Sequence, residues 1–204
     1  MLFTHIFLIC AGVLLLASCS TTPGDAAYRG GHLEQAAELY RQGANKGDAL
    51  AAFKLSRMVE NGEVSATQFG SAGSWAVRAC ELGDIIGCHN AGVGYEYGSE
   101  EKLGLNKDLA KAKDFYLRAA ERGYMQAQYN LGSMYANKYF NNDVEGLKWM
   151  LLAQRSAAGC VSSNSLCAWI VRDPPGHISK LKAGMSAESI ALAERLAEEW
   201  MVRK

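Results

Sequence analysis

Ala112-Lys-Asp-Phe115-Tyr116-Leu-Arg-Ala119-Ala120-Glu-Arg-Gly123-Tyr-Met-Gln-Ala127-Gln-Tyr-Asn-Leu131-Gly132-Ser-Met-Tyr135 reads as a helix, a tight turn and a second helix. Phe115, Ala119 and Ala120 recur at three- and four-residue steps, as do Ala127, Leu131, Met134 and Tyr135. Gly123 falls where the first helix must stop, and a residue just past a helix end often takes φ > 0, which glycine adopts without strain. The alanines suit close approach of two backbones, and each aromatic fills the gap beside them.

The same pattern repeats on either side. Ala72, Trp75, Ala79, Cys80, Gly83, Gly92 and Tyr95 occupy the positions of Ala112, Phe115, Ala119, Ala120, Gly123, Gly132 and Tyr135. Earlier still, Ala36, Tyr40, Ala44, Gly47, Ala51 and Leu55 match Ala112, Tyr116, Ala120, Gly123, Ala127 and Leu131. A fourth copy keeps Trp149 and Ala153, but Gly159 arrives two residues late, which predicts an insertion in that turn. A period in the range of 20–50 residues marks a solenoid of stacked hairpins, since one hairpin cannot cover its own apolar face. In-register matches over three copies favour this reading over a helical bundle with coincidental alanines. Under either fold Trp75, Phe115, Tyr116 and Trp149 are core packers rather than a cofactor box.

From about residue 30 onward the chain resembles the Sel-one-like repeat (SLR) proteins, relatives of the tetratricopeptide repeats. Ala112, Phe115-Tyr116, Ala119-Ala120-Glu121-Arg122-Gly123, Ala127 and Leu131-Gly132-Ser-Met-Tyr135 carry the resemblance, with Tyr95-Glu96-Tyr97-Gly98 closing a repeat. It implies an all-α fold, an α/α superhelix of three to four helix-turn-helix repeats whose concave face binds a protein or peptide. A scaffold or adaptor is the implied role, not an enzyme. The resemblance names no binding residues.

The N-terminus lies outside this pattern. Ile6 to Ala17 is a short apolar run, below the roughly 20 residues that span a bilayer and of the length of a signal-peptide core. Leu16-Ala17-Ser18-Cys19 resembles a bacterial lipobox, which makes Cys19 the expected lipidation site and residues 1–18 the signal peptide. The leading Met1-Leu2-Phe3-Thr4-His5 has no Lys or Arg, unlike most signal peptides. An ordinary secretory signal or a misassigned start is the competing reading. Ser20 after the cysteine fits, by resemblance, outer-membrane sorting toward the periplasm. Residues 19–29, with Thr21, Thr22, Pro23, Gly24 and Asp25, read as a flexible lipidated tether.

Four further cysteines remain once Cys10 and Cys19 are set aside: Cys80, Cys88, Cys160 and Cys167. Four allow three pairings. The repeat register places Cys80 at the end of one helix and Cys88 at the start of the next, within bridging range. Cys160 and Cys167 are likewise local to the fourth copy. Export would meet an oxidising compartment where disulfides form. The pair eight residues apart also resembles the within-hairpin bridge of cysteine-rich secreted repeat proteins. No metal site is expected, since no close Cys-x-x-Cys or Cys/His cluster occurs, and His89 beside Cys88 reads as a helix-surface residue.

Lys plus Arg equals Asp plus Glu at 21 each among 204 residues. No net field favours nucleic acid or an anionic membrane, so membrane contact is expected through the lipid alone. Asp173-Pro174-Pro175-Gly176 should end the repeats that fill 30–173, because proline cannot donate a helix hydrogen bond. Within 174–204, Ser186 and Glu188 open a capping helix with Leu192, Leu196 and Trp200 on one face. No cofactor is implied. The one catalytic-looking motif, Ser179-Lys-Leu-Lys182, fits the Ser-x-x-Lys of β-lactamases, but no Ser-Asp-Asn or Lys-Thr-Gly accompanies it. A β-lactamase-like or other cell-wall-directed enzyme is the alternative to an envelope-anchored adaptor for a protein, a peptide or an envelope glycan.

Overall fold

The computed structural model describes residues 22–98, 103–160, 165–173 and 176–203. Cys19 and the signal segment lie outside these residues. Among the described residues there are only helices: α1 (Gly24–Arg29), α2 (Leu33–Asn45), α3 (Ala49–Glu60), α4 (Ala66–Phe69), α5 (Ala72–Glu81) and α6 (Ile85–Tyr97). These are followed by α7 (Leu109–Ala120), α8 (Met125–Ala136), α9 (Asp143–Ala158), α10 (Ser165–Arg172), α11 (His177–Lys182) and α12 (Ala187–Val202). The pairs α2/α3, α5/α6, α7/α8 and α9/α10 are the hairpins of an all-α helical-repeat fold.

The turn chemistry explains why the first three hairpins look alike. Gly47, Gly83 and Gly123 have φ of +96°, +99° and +87°. The residue after each glycine donates its N–H five residues back, Asp48 to Gly43 at 2.9 Å, Asp84 to Ala79 at 2.8 Å and Tyr124 to Ala119 at 3.1 Å. This left-handed closure satisfies carbonyls that the helix end leaves open. Asp48 and Asp84 then cap the following helix, accepting from the N–H of Ala51 and Gly87.

Packing is sequential. Each helix touches the next along the array, from α3 on α5 through α8 on α9, and α12 lies against α9. Ala112, Ala119, Ala120 and Ala127 have no solvent exposure, and Tyr116 packs in the same cluster equally buried. The approach is too close for larger groups at some points. A methyl added at Gly132 would lie 2.5 Å from Met150 Cγ and 3.0 Å from its backbone nitrogen.

Several expectations are revised. The tether is shorter than predicted, because Gly24–Arg29 is helical and packed on α2. Asp25 anchors it, accepting from Lys54 Nζ at 2.6 and 2.8 Å, the Tyr40 hydroxyl at 2.7 Å and Thr22 Oγ1 at 2.9 Å. The late Gly159 reflects a longer helix, and the link to α10, residues 159–164, is also two residues longer than the 121–124 link between α7 and α8. α9 runs 16 residues against 12 for α7, and Gly159 ends it with φ −69°, not in the left-handed region. On α12 the buried face is Ala193 and Ala197, while Leu192 is 37% exposed. Small residues let α12 lie close to α9, which rotates the leucines aside. Trp75 is half-buried, its Nε1 donating to the Phe69 carbonyl at 2.6 Å.

Cys80–Cys88 and Cys160–Cys167 form disulfides over separations of 8 and 7 residues. The first ties the end of α5 to the start of α6, with Cys80 and Cys88 only 2% and 3% exposed. Replacing both by serine should lower stability by about 2.5 kcal/mol in the chain-entropy picture, read as a shift in the urea midpoint. Asp25 gives a second prediction. Burial opposes its charge, but the bonds from Lys54, Tyr40 and Thr22 outweigh burial and hold its carboxyl well below the usual carboxylate range. A folded value below the unfolded one, about 3.9, stabilises at higher pH and loses that contribution as acidification proceeds below it. Asp25→Asn should therefore melt lower at neutral pH and lose less on acidification, as thermal scans across acidic pH would show.

Candidate functional site

The second helices of successive hairpins line a groove. From α6 come His89, Glu96 and Tyr97. From α8 and its C-terminal end come Gln126, Tyr129, Asn130, Ser133 and Asn137, with Tyr139 just beyond. Leu166, Trp169 and Ile170 of α10 and His177 at the start of α11 form the far wall, enclosing about 340 Å³. Gln126, Asn130, Ser133 and Asn137 follow one another at steps of four, three and four, so they share one face of α8. Ala127, Leu131 and Met134, on the adjoining flank of the helix, are buried in the core.

The polar groups in this groove are held by one another. Tyr116 OH donates to Glu96 Oε2 at 2.7 Å, both residues being buried. Burial pushes the Glu96 carboxyl up, more than the Tyr116 bond and the charge of Lys107 pull it down. His89 is not on the helix surface, as the sequence suggests, but half-buried between the Tyr116 and Tyr124 rings, at 5.7 and 5.2 Å. Its Nε2 lies 3.2 Å from Asn130 Nδ2 and its Nδ1 lies 3.2 Å from Asn90 Oδ1. Nδ2 can only donate and Oδ1 only accept, which suits a neutral imidazole protonated at Nδ1. Burial accordingly lowers the His89 pKa. His177 sits 3.1 Å from the Tyr129 hydroxyl, and burial likewise lowers its pKa against the pull of Asp173. Tyr129 also packs on Trp169 at 5.0 Å.

A second cavity, about 390 Å³, lies beside α1, α2 and α3. Its central acid and base, Asp25 and Lys54, already satisfy each other. Ser179 and Lys182 are not assembled as nucleophile and base: Ser179 is exposed, and Lys182 Nζ reaches Glu194 Oε1 at 3.4 Å. Among the described residues no cluster of His, Cys, Asp and Glu could hold a metal ion.

Residues 33–48, 49–84, 85–124 and 126–153 match the Sel1 repeat. The chain belongs to the Sel1 repeat family. Cytochrome c oxidase assembly factor 7 of Mus musculus is 30% identical over 109 residues, 51% of this chain and 47% of that protein. Its Homo sapiens counterpart is 33% identical over 87 residues, 41% of this chain and 37% of that protein. The chain thus spans half or less of the curated relatives it matches. A crystal structure of a Sel1 repeat protein from Oxalobacter formigenes shares the fold, with TM-score 0.51 at 22% identity, covering 67% of this chain and 57% of that one. Sel1 repeats are interaction scaffolds, and a protein partner is the general expectation for this chain.

None of the groove residues stood out as a site in the sequence. The usable signal was the uncharged stripe on α8. Tyr116→Phe should leave the buried Glu96 carboxyl without its donor and cost about 1–3 kcal/mol. Tyr97→Ala, at a residue 71% exposed, should leave the denaturation midpoint nearly unchanged.

Proposed function

We propose that this protein is a non-catalytic adaptor of the bacterial envelope, holding a protein or peptide partner along its repeats. The carrying observation is a position that packing leaves open in the first three repeats. Two residues after the buried small residue that begins each repeat stand Glu38, Ser74, Asp114 and Lys148, two carboxylates, a hydroxyl and an amine, of which Ser74 and Asp114 are exposed and Lys148 is held on Glu145, while Ala36, Ala72, Ala112 and Gly146 stay buried. An array that keeps its packing residues and varies the polar ones between them presents a readable surface. The name of the curated relatives, an assembly factor, agrees with a protein client.

Cys19 is the proposed anchor, lipidated and sorted to the outer membrane with the repeats facing the periplasm. Among the described residues no helix is long and apolar enough to cross a membrane, so attachment would rest on the acyl chains. With α1 already packed on α2, the tether reduces to the few residues after Cys19.

Cys19→Ser should move the protein from the membrane fraction to the soluble fraction. In the anchored protein, a photo-crosslinking residue placed at Ser74 or at Asp114, one repeat apart, should trap the same protein. One placed at Glu198 on α12 should not. Different adducts at the two repeat positions, or none at either, would remove the adaptor reading.

A further inference from the structure

We propose that the groove between α6, α8 and α10 is a second site, distinct from the protein-binding surface above, and that it takes an uncharged saccharide of one or two rings. The argument begins with charge. No Lys or Arg lines the groove. Its two imidazoles are disfavoured as cations by burial. Its single carboxyl, on Glu96, is buried and bonded to the Tyr116 hydroxyl. A phosphate, nucleotide or acidic peptide would enter without a counter-charge and lose its hydration. A neutral ligand carries no such cost.

The lining then selects among neutral ligands. Tyr97 and Tyr139 are 71% and 42% exposed at the rim, and Trp169 stands on the opposite wall. Two large rings at this rim leave apolar faces open to a ligand. Their electron-rich faces suit the C–H-bearing face of a sugar ring. Between these walls runs the α8 stripe of Gln126, Asn130, Ser133 and Asn137. Side-chain amides and hydroxyls both donate and accept, as sugar hydroxyls do. Successive members are one helical turn apart, with Cβ atoms about 5–6 Å from each other. That step is near the width of a six-membered sugar ring. An extended peptide turns like groups to one side only every second residue, about 6.6–6.8 Å apart, a longer step than that of the stripe. The volume, about 340 Å³, is at the small end of ligand pockets. It suits one or two rings better than a folded protein element.

The test is titration of the purified full chain with two neutral disaccharides, chitobiose and cellobiose, followed by calorimetry and by ¹H–¹⁵N NMR. Saturable binding of at least one is expected, with shifts concentrated in 126–137 and in Trp169. Tyr97→Ala and Asn137→Ala, both at exposed positions, should each weaken binding about tenfold, equivalent to about 1.4 kcal/mol. Circular dichroism would verify that both remain helical. An N-acetylated, amidated trialanine and inorganic pyrophosphate are the competing probes. Preference for the peptide would make the groove a peptide site and overturn the proposal. Preference for pyrophosphate would overturn the charge argument. Disaccharide binding that survives both substitutions, or no binding, would also remove it. Crosslinking at Ser74 and Asp114 reads a different surface, so the adaptor reading stands or falls separately.

Discussion

Close approach of helix backbones at fixed small residues is the constraint on which the other features depend. Ala36, Ala72 and Ala112 share one register position, Ala51, Gly87 and Ala127 another, and all are buried. A methyl at Gly87 would sit 2.6 Å from Ala79 Cβ, nearer than such atoms pack. With the backbones this close, a shift of one helix must be passed to its neighbours, because protein interiors do not compress. The aromatic fillers, the bridging distance of Cys80 to Cys88 and the alignment of three second helices along one groove all follow from that spacing.

The regular part of this architecture was open to reading because its causes are local. A glycine past a helix end, alanines one turn apart and an aromatic between them act within some twenty residues of chain. The features that escaped reading have distant causes. Gly24 and Asp25 look like linker residues in isolation. Their order comes from Tyr40 and Lys54, 15 and 29 residues away. Leu192 and Leu196 look like the buried face of α12, but α9 comes close enough that Ala193 and Ala197 take that place.

The groove was illegible for a related reason. Its residues occupy positions between the packing positions, where the repeat imposes nothing, and three copies contribute them. His89 shows the difficulty. In sequence it is a polar residue after a cysteine, and only the neighbouring rings of Tyr116 and Tyr124 make it half-buried. Tyr124 stands where Asp48 and Asp84 cap the earlier second helices and makes no such cap itself. There the repeat gives up a helix-start hydrogen bond and gains an aromatic wall for His89.

The two disulfides each close inside a single hairpin, across 8 and 7 residues. A chain delivered N-terminus first, by synthesis or by threading through a pore, exposes Cys80 and Cys88 together before Cys160 has appeared. Once both pairs are out, joining Cys88 to Cys160 would close a loop about nine times longer, which costs about 2 kcal/mol more in chain entropy. Order of arrival and proximity along the chain therefore sort the thiols, a task that would otherwise fall to a disulfide-shuffling catalyst.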